Sequence, residues 1–260
     1  MEQHKVIVRG RQFLTQKGRY DRFWNRVNQG NWEPETYAVF EEYIDQDTLL
    51  VDFGAWIGPT ALFGAQLAHQ CLAFEPDHRA FEELEANVAL NKDQDWAKRI
   101  KVFEQAIHAT GEPISINSSG EGGDSMSSAL FPNRPTQWTV QTRRLGDVIK
   151  EHRGDAKKVF VKIDIEGGEY DLLPAVADLM AQEDIVFSVE FHHRMLFRSL
   201  KQTAEDNPDW QETYKAKMKE ITEALPWGRK MLTNTGTVLD RDGVVALISG
   251  NGEADTIIMA

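Results

Sequence analysis

Two hundred and sixty residues, 41% of them hydrophobic and 27% charged, are enough to bury a full core, which excludes disordered and collagen-like architectures. No apolar run approaches the roughly 20 residues of a membrane span, and a net charge of −12 disfavours nucleic acid or an anionic bilayer as the main partner. A small polar molecule or a neutral sugar fits that balance better.

The opening MEQHKVIVRGRQF lacks the apolar stretch of a secretory signal. The single cysteine, Cys71, cannot close an intramolecular disulfide, so a reducing, cytoplasmic setting is expected. Lys5 to Gly10 alternates like a short edge strand, and Tyr20 to Trp32 is rich in aromatics and Arg. Pro34 suits a first helical turn ahead of an amphipathic stretch from Glu35 to Ile44. Residues 1–47 are thus expected to form an N-terminal extension and helix, ahead of one domain over 48–260.

From residue 48 onward, short apolar runs alternate with helical periods. Strands are predicted at Thr48 to Phe53, Cys71 to Glu75, Ile100 to Ile107, Val159 to Glu166 and Ile185 to Phe191. Helices are predicted at Thr60 to His69, His78 to Asn91 and Glu169 to Met180. That alternation predicts an α/β, doubly wound fold, a parallel sheet with helices on both faces. Lys230 to Asn234 and Thr256 to Ala260 add strands at one edge, and Glu205 to Leu225 reads as a charged surface helix.

In VDFGAWIGPTA, Val51 to Ala61, a buried strand ends in a glycine turn that feeds a helix. Gly54 and Gly58 allow the turn and the close helix approach, and a ligand would sit over the helix N-terminus at the carboxyl edge of the sheet. Such a pair also serves merely to shape a strand-to-helix turn. About 20 residues on, Glu75 ends the next strand, where an acid can take both hydroxyls of a ribose; the plainer reading is a neighbour of a helix N-cap. Asp52 beside the turn favours a cationic ligand head over a pyrophosphate.

Asp52-x-Gly54-x-x-x-Gly58, Glu75-Pro76 and VKIDIEGGEYDLL, Val161 to Leu173, together resemble the FkbM family of S-adenosylmethionine-dependent methyltransferases. Asn31 to Ile44 is also similar to that family's helix ahead of the first strand. The resemblance implies a Rossmann-like class I methyltransferase fold with a mostly parallel seven-stranded sheet, and a hydroxyl acceptor on a sugar or related small molecule. It implies that Asp52, Gly54, Ala55 and Gly58 hold the methionine part of S-adenosylmethionine and Glu75 its ribose. Gln105 and Ala106 would lie beside the adenine and Asp164 would face the sulfonium. Trp56, within the same turn, stands where the family commonly has Asn, and Pro59 where an aromatic is frequent.

Period-two alternation places Lys162, Asp164 and Glu166 on one face of their strand. Lys162 is read either as an ion-pair partner of Asp164 or Glu190 that locks the strand tips, or as a group facing ligand. Asp164 and Glu166 are expected to face ligand. On the next strand Glu190 and His192 share a face, and His192 is the first choice of general base, with Glu190 orienting it. Asp164, Glu166, Glu190 and His192 are also a hard-ligand set, but no compact metal motif occurs, so no dedicated metal site is assigned. Ser118 to Trp138 has no period and reads as a mobile lid or a disordered insertion; Met126, Leu130, Phe131 and Trp138 give it apolar contacts. The expected activity is methyl transfer to a hydroxyl. A nicotinamide-dependent oxidoreductase, which lacks its middle glycine here, and a non-catalytic nucleotide-binding module are the alternatives.

Overall fold

The computed structural model describes residues 3–123, 127–131, 134–205, 207–252 and 255–260. Strands β1 (Gln3–Val8) and β2 (Arg11–Gln16) form an antiparallel hairpin through Arg9 and Gly10. Both loop residues have positive φ, 47° and 81°, the primed turn that matches strand twist. The expected short edge strand is therefore half of a separate two-stranded sheet. The partner strand has no apolar alternation to mark it in the sequence, because its inward face combines Phe13 with a buried polar residue, Thr15. Helix α1 (Asp21–Asn28) buries Trp24 and Val27, and α2 (Pro34–Tyr43) opens on Pro34 and buries Tyr37 and Phe40.

The main sheet grows from β3 (Thr48–Phe53), followed by α3 (Pro59–Gly64), β4 (Gln70–Phe74), α4 (His78–Leu90) and β5 (Ile100–Phe103). Next come β6 (Ala106–Ile107), β7 (Ile114–Ser118), β8 (Thr136–Val140), β9 (Thr142–Arg143) and α5 (Leu145–His152). Then β10 (Lys158–Ile163), α6 (Glu169–Ala175), α7 (Ala177–Met180), β11 (Ile185–Glu190), α8 (His193–Gln202) and α9 (Trp210–Ala224) follow. The described chain closes with β12 (Met231–Thr233), α10 (Arg241–Ile248) and β13 (Thr256–Met259).

Seven strands pair in the order β12-β13-β11-β10-β3-β4-β5. The five from β11 to β5 are mutually parallel, and β13 runs antiparallel to both β11 and β12. The fold is thus α/β with a mostly parallel seven-stranded sheet. All of β3 is buried, which is why its centre, Leu49 to Val51, reads as an apolar run rather than an alternating one. Leu49, Val51 and Phe53 pack with Val161 and Phe187, whereas Leu50 packs with Phe40, Phe63 and Phe160 in a second cluster.

Several predicted elements are longer than the real ones, and for the strands the reason is shared: a strand stops where its neighbours stop. Ile163 is the last residue of β10 paired with β3, opposite Phe53. Asp164 and Glu166 therefore lie beyond the strand, Glu166 with φ 52°, and the alternation that put them on one face with Lys162 does not reach them. Likewise Phe103 pairs with Phe74 at the end of β5, and Ala106 and Ile107 pair instead with β9 in another small sheet. The Glu169–Met180 helix breaks at Val176, just after Pro174, which has no N–H to continue the ladder. Helix α3 ends at Gly64, where an added Cβ would lie 2.4 Å from Leu50 Cδ2.

The Ser118–Trp138 segment is partly regular. Its ends belong to the antiparallel pair β7–β8, and Asn117 bridges Ser128. Phe131 is buried, Leu130 packs on the main core and Trp138 on Ile116; Met126 lies outside the described residues. Helix α9 begins at Trp210 rather than Glu205, with Ile221 buried, and Asp206 lies outside the described residues. No described helix is long and apolar enough to cross a membrane.

Candidate functional site

The carboxyl tips of β3, β4, β10 and β11 open into one cleft of about 640 Å³, the place where parallel α/β sheets take ligands. At its edge the backbone amides of Gly54 and Ala55 both donate to Phe74 O, at 3.1 and 3.0 Å. Gly54 has φ 72° and a Cβ there would lie 1.9 Å from Asp164 O, so only glycine lets the two strand tips approach. Gly58, the N-cap of α3 at φ 96°, packs against Leu84 and does not line the cleft. Trp56 lines it from a left-handed conformation, with its indole N–H donating to Gly123 O at 3.1 Å.

Glu75 is buried and uses both oxygens on the backbone: Oε2 accepts from Trp56 N at 2.7 Å and Oε1 from Asp77 N at 2.8 Å. Asp77 itself caps α4, accepting from Arg79 N and Ala80 N. The plainer reading of Glu75, a neighbour of the N-cap, is therefore present in the geometry, and the same carboxyl also lines the cleft. Burial raises it to about 8, against the two amide hydrogen bonds.

Asp52 is fully buried behind the cleft wall, where Oδ2 accepts from Thr60 Oγ1 at 2.7 Å, Lys162 Nζ stands 3.8 Å from Oδ1, and Oδ1 has no hydrogen bond. Lys162 reaches Asp164 Oδ2 at 3.1 Å. The expected ion pair with Asp164 thus forms, while Glu190 is not within pairing distance of Lys162. Burial alone would discharge Lys162, but Asp164 and Asp52 hold it as a firm cation.

His192 sits amid carboxylates. Its Nδ1 is 2.9 Å from Glu169 Oε1, and its Nε2 faces Asp164 at 3.6 Å, Glu190 at 3.6 Å and Glu166 at 3.8 Å. Burial opposes the charged ring, yet the Glu169 hydrogen bond and the surrounding charges outweigh it and raise His192 to about 10. Burial, reinforced by Asp164, raises Glu190 to about 8; burial also raises Glu166 to about 7. Asp164 goes the other way, because Lys162 and His192 overcome its burial. Glu190 and His192 meet through the turn after β11, since His192 already caps α8. Asp164, Glu190 and His192 also bring ligand atoms within 4.8 Å of one another, although Lys162 and the protonated His192 already supply positive charge there.

Gln105 and Ala106 line the far wall, and Gln105 Oε1 is buried with no hydrogen-bond partner. Three contributors were missed in the sequence. Glu169, completely buried, also accepts from Ile165 N and Gly167 N; an acid directly after Gly-Gly was its only signal. Glu33 lines the cleft, and burial raises it to about 7. Arg22, Phe23, Arg26 and Trp32 bring a wall from the N-terminal segment, and no local pattern ties that segment to the sheet tips.

Among solved structures, the chain is similar to a methyltransferase FkbM from Methylobacillus flagellatus KT, with 16% identity and a TM-score of 0.45, covering 90% of this chain and 52% of that one. It is also similar to the 23S rRNA methyltransferase ErmE, with 13% identity and a TM-score of 0.34, covering 87% of this chain and 66% of that one. The chain thus spans about half the length of the first of these. No curated protein matches the sequence significantly. The family described as Methyltransferase FkbM domain matches residues 52–220, the stretch that carries the glycine turn, Glu75 and the whole His192 cluster. The chain belongs to the FkbM methyltransferase family.

Proposed function

We propose that this protein transfers a methyl group from S-adenosylmethionine to a hydroxyl of a sugar or another polar small molecule. The carrying observation is the acid-rich floor of the cleft. Among the described residues, Glu33, Asp164, Glu166 and Glu190 crowd that floor around Lys162 and His192; burial raises Glu33, Glu166 and Glu190 to about 7 to 8, and a ligand with positive charge would favour their ionised forms. The rest of the wall fits the same cofactor: Gln105 Oε1 is an orphaned acceptor for an amine donor, and Gly54 leaves room that a side chain would fill. When bound, S-adenosylmethionine supplies an activated methyl on a sulfonium centre.

The protein's residues then have separable tasks. Ala55, Trp56 and Asp164 border the amino-acid and sulfonium end, with Asp52 and Gly58 supporting the turn from behind. Glu75 accepts from the ribose, and Gln105 and Ala106 border the adenine. A histidine held as imidazolium has no lone pair at Nε2 for an acceptor's proton. In place of His192 as base, we assign proton removal to Glu190, with His192 donating toward it and Glu166 lining the acceptor side. The Ser118–Trp138 segment acts as the lid, tied down by Gly123 N on Asp77 Oδ2 at 2.7 Å and Ser128 Oγ on Glu166 O at 2.9 Å. The two core clusters support a doubly wound arrangement, and a single buried cysteine supports a cytoplasmic setting.

Titration calorimetry with S-adenosylhomocysteine and with NAD tests the cofactor, and transfer of labelled methyl to a panel of sugars and hydroxylated small molecules tests the acceptor. Binding of NAD but not S-adenosylhomocysteine would reverse the reading in favour of an oxidoreductase. Cofactor binding without transfer to any acceptor would favour a binding module. Glu75→Ala is expected to weaken S-adenosylhomocysteine binding through the loss of its hydrogen bonds to the ribose, about 0.5–1.5 kcal/mol each for a carboxyl that burial raises to about 8. It also strands the Trp56 and Asp77 amides, so the melting temperature is expected to fall as well. Unchanged affinity in that variant removes Glu75 from the ribose site.

A further inference from the structure

Arg22 and Arg26 stand one helical turn apart on α1, on the side opposite the buried Trp24 and Val27, and both line the cleft. Neither guanidinium has a hydrogen bond or an ion pair among the described residues. Lys162 and His192 in the cleft are engaged, Lys162 with Asp164 and Asp52 and His192 with Glu169 and its neighbours, and the His108 ring lies 3.0 Å from Thr110 Oγ1 through Nδ1. In a chain of net charge −12, two unpartnered guanidiniums at one cleft rim call for an anion.

The position of α1 indicates which anion. Phe23 packs edge-on against Trp56 with ring centroids 4.5 Å apart, and Tyr20 does the same at 5.4 Å. Trp56 directly follows Gly54 and Ala55, so α1 rides above the turn that borders the amino-acid end of the cofactor. That end carries an ammonium and a carboxylate. The acid-rich floor attracts the ammonium and repels the carboxylate, leaving the rim as the favourable place for the negative group. We propose that Arg22 and Arg26 bind the α-carboxylate of the cofactor's amino-acid moiety, a reading that rests on S-adenosylmethionine as the cofactor. The guanidinium fork suits a carboxylate. Both residues lie ahead of the stretch that the family match covers, so the amino-acid subsite is completed by the N-terminal segment of this chain.

The test compares two ligands by calorimetry at low salt: S-adenosylhomocysteine and S-adenosyl-3-thiopropylamine, which lacks only the carboxylate. The parent is expected to prefer the first by about tenfold, and the double variant Arg22→Gln, Arg26→Gln to bind both alike. Because both arginines are exposed, the melting temperature should be unchanged, and a structural role would not alter the preference between two ligands. A variant that keeps the parent's preference overturns the inference, as does one that loses only the binding of an anionic acceptor. Failure of the parent to bind S-adenosylhomocysteine overturns the cofactor reading together with this one. Binding by the parent with no change in the variant overturns the arginine assignment alone.

Discussion

Glu190→Gln is expected to slow single-turnover methyl transfer by roughly 10²–10⁴-fold while S-adenosylhomocysteine affinity changes little, because the amide keeps the shape but cannot take a proton. The assignment follows from the electrostatics around β11. Burial and the nearby Asp164 charge raise Glu190 to about 8, whereas at His192 burial is outweighed by Glu169, Asp164 and Glu166, which raise that ring to about 10. Activity of the free enzyme, read as kcat/KM, should therefore rise as pH passes about 8, where Glu190 ionises, and fall above about 10, where His192 loses its proton. A bound sulfonium favours the carboxylate, so the acid limb of kcat should lie below that of kcat/KM. An acid limb near the ordinary histidine value of 6.5 that disappears in His192→Gln, with Glu190→Gln as fast as the parent, would return the base to His192. Turnover abolished by a chelator and restored by a divalent ion would move the task to a metal at Asp164, Glu190 and His192.

The same shifts set the sign of the stability change. Glu190 and His192 both have raised values in the folded protein, so each contributes stability that is complete below its unfolded value, 4.5 and 6.5 respectively, and is lost as pH rises through about 8 and about 10. The melting temperature of the cofactor-free protein should decline across that range, and S-adenosylhomocysteine should restore part of it by linkage to the folded state.

Gly54→Val is expected to abolish measurable cofactor binding and to lower the melting temperature. The φ of 72° lies where a side chain costs roughly 1–2 kcal/mol, and a β-branched one more. The larger effect is steric: a Cβ 1.9 Å from Asp164 O must push β3 and β10 apart at their tips. That movement displaces Asp164, and with it the contacts to Lys162 and His192. Gly58→Ala offers a graded comparison: it shares the backbone strain, at φ 96°, but its Cβ makes its one tight contact with the end of Leu84 at 2.8 Å, a flexible side chain outside the cleft. Parent-like affinity in Gly54→Val would mean that the ligand lies elsewhere.

The strand positions were legible because parallel strands buried on both faces leave short, near-continuous apolar runs, as Leu49 to Val51 does at the centre of β3. The glycine turn was legible for a related reason: Gly54 answers a backbone requirement that no other residue meets. Strand ends were not, because Ile163 and Phe103 close their strands through the length of their neighbours, and neighbours are not a local property. Thus VKIDIEG read as one long alternating strand, although Glu166 leaves it in a left-handed turn.

The individual side chains Glu75, Asp164, Glu166, Glu190 and His192 could be chosen from type and place at the strand tips, and the cleft contains all of them. Their charge states could not. His192 reads in isolation as a neutral base, and only the arrival of Asp164, Glu166 and Glu169 from the β10–α6 connection beside Glu190 makes it a cation. Nor does any spacing connect Arg22 and Glu33 to residues more than a hundred positions later. Apolar periodicity and glycine chemistry act over a few residues and so are written locally, whereas Coulomb interactions act through space and depend on which distant segments the folded sheet brings within a few ångströms.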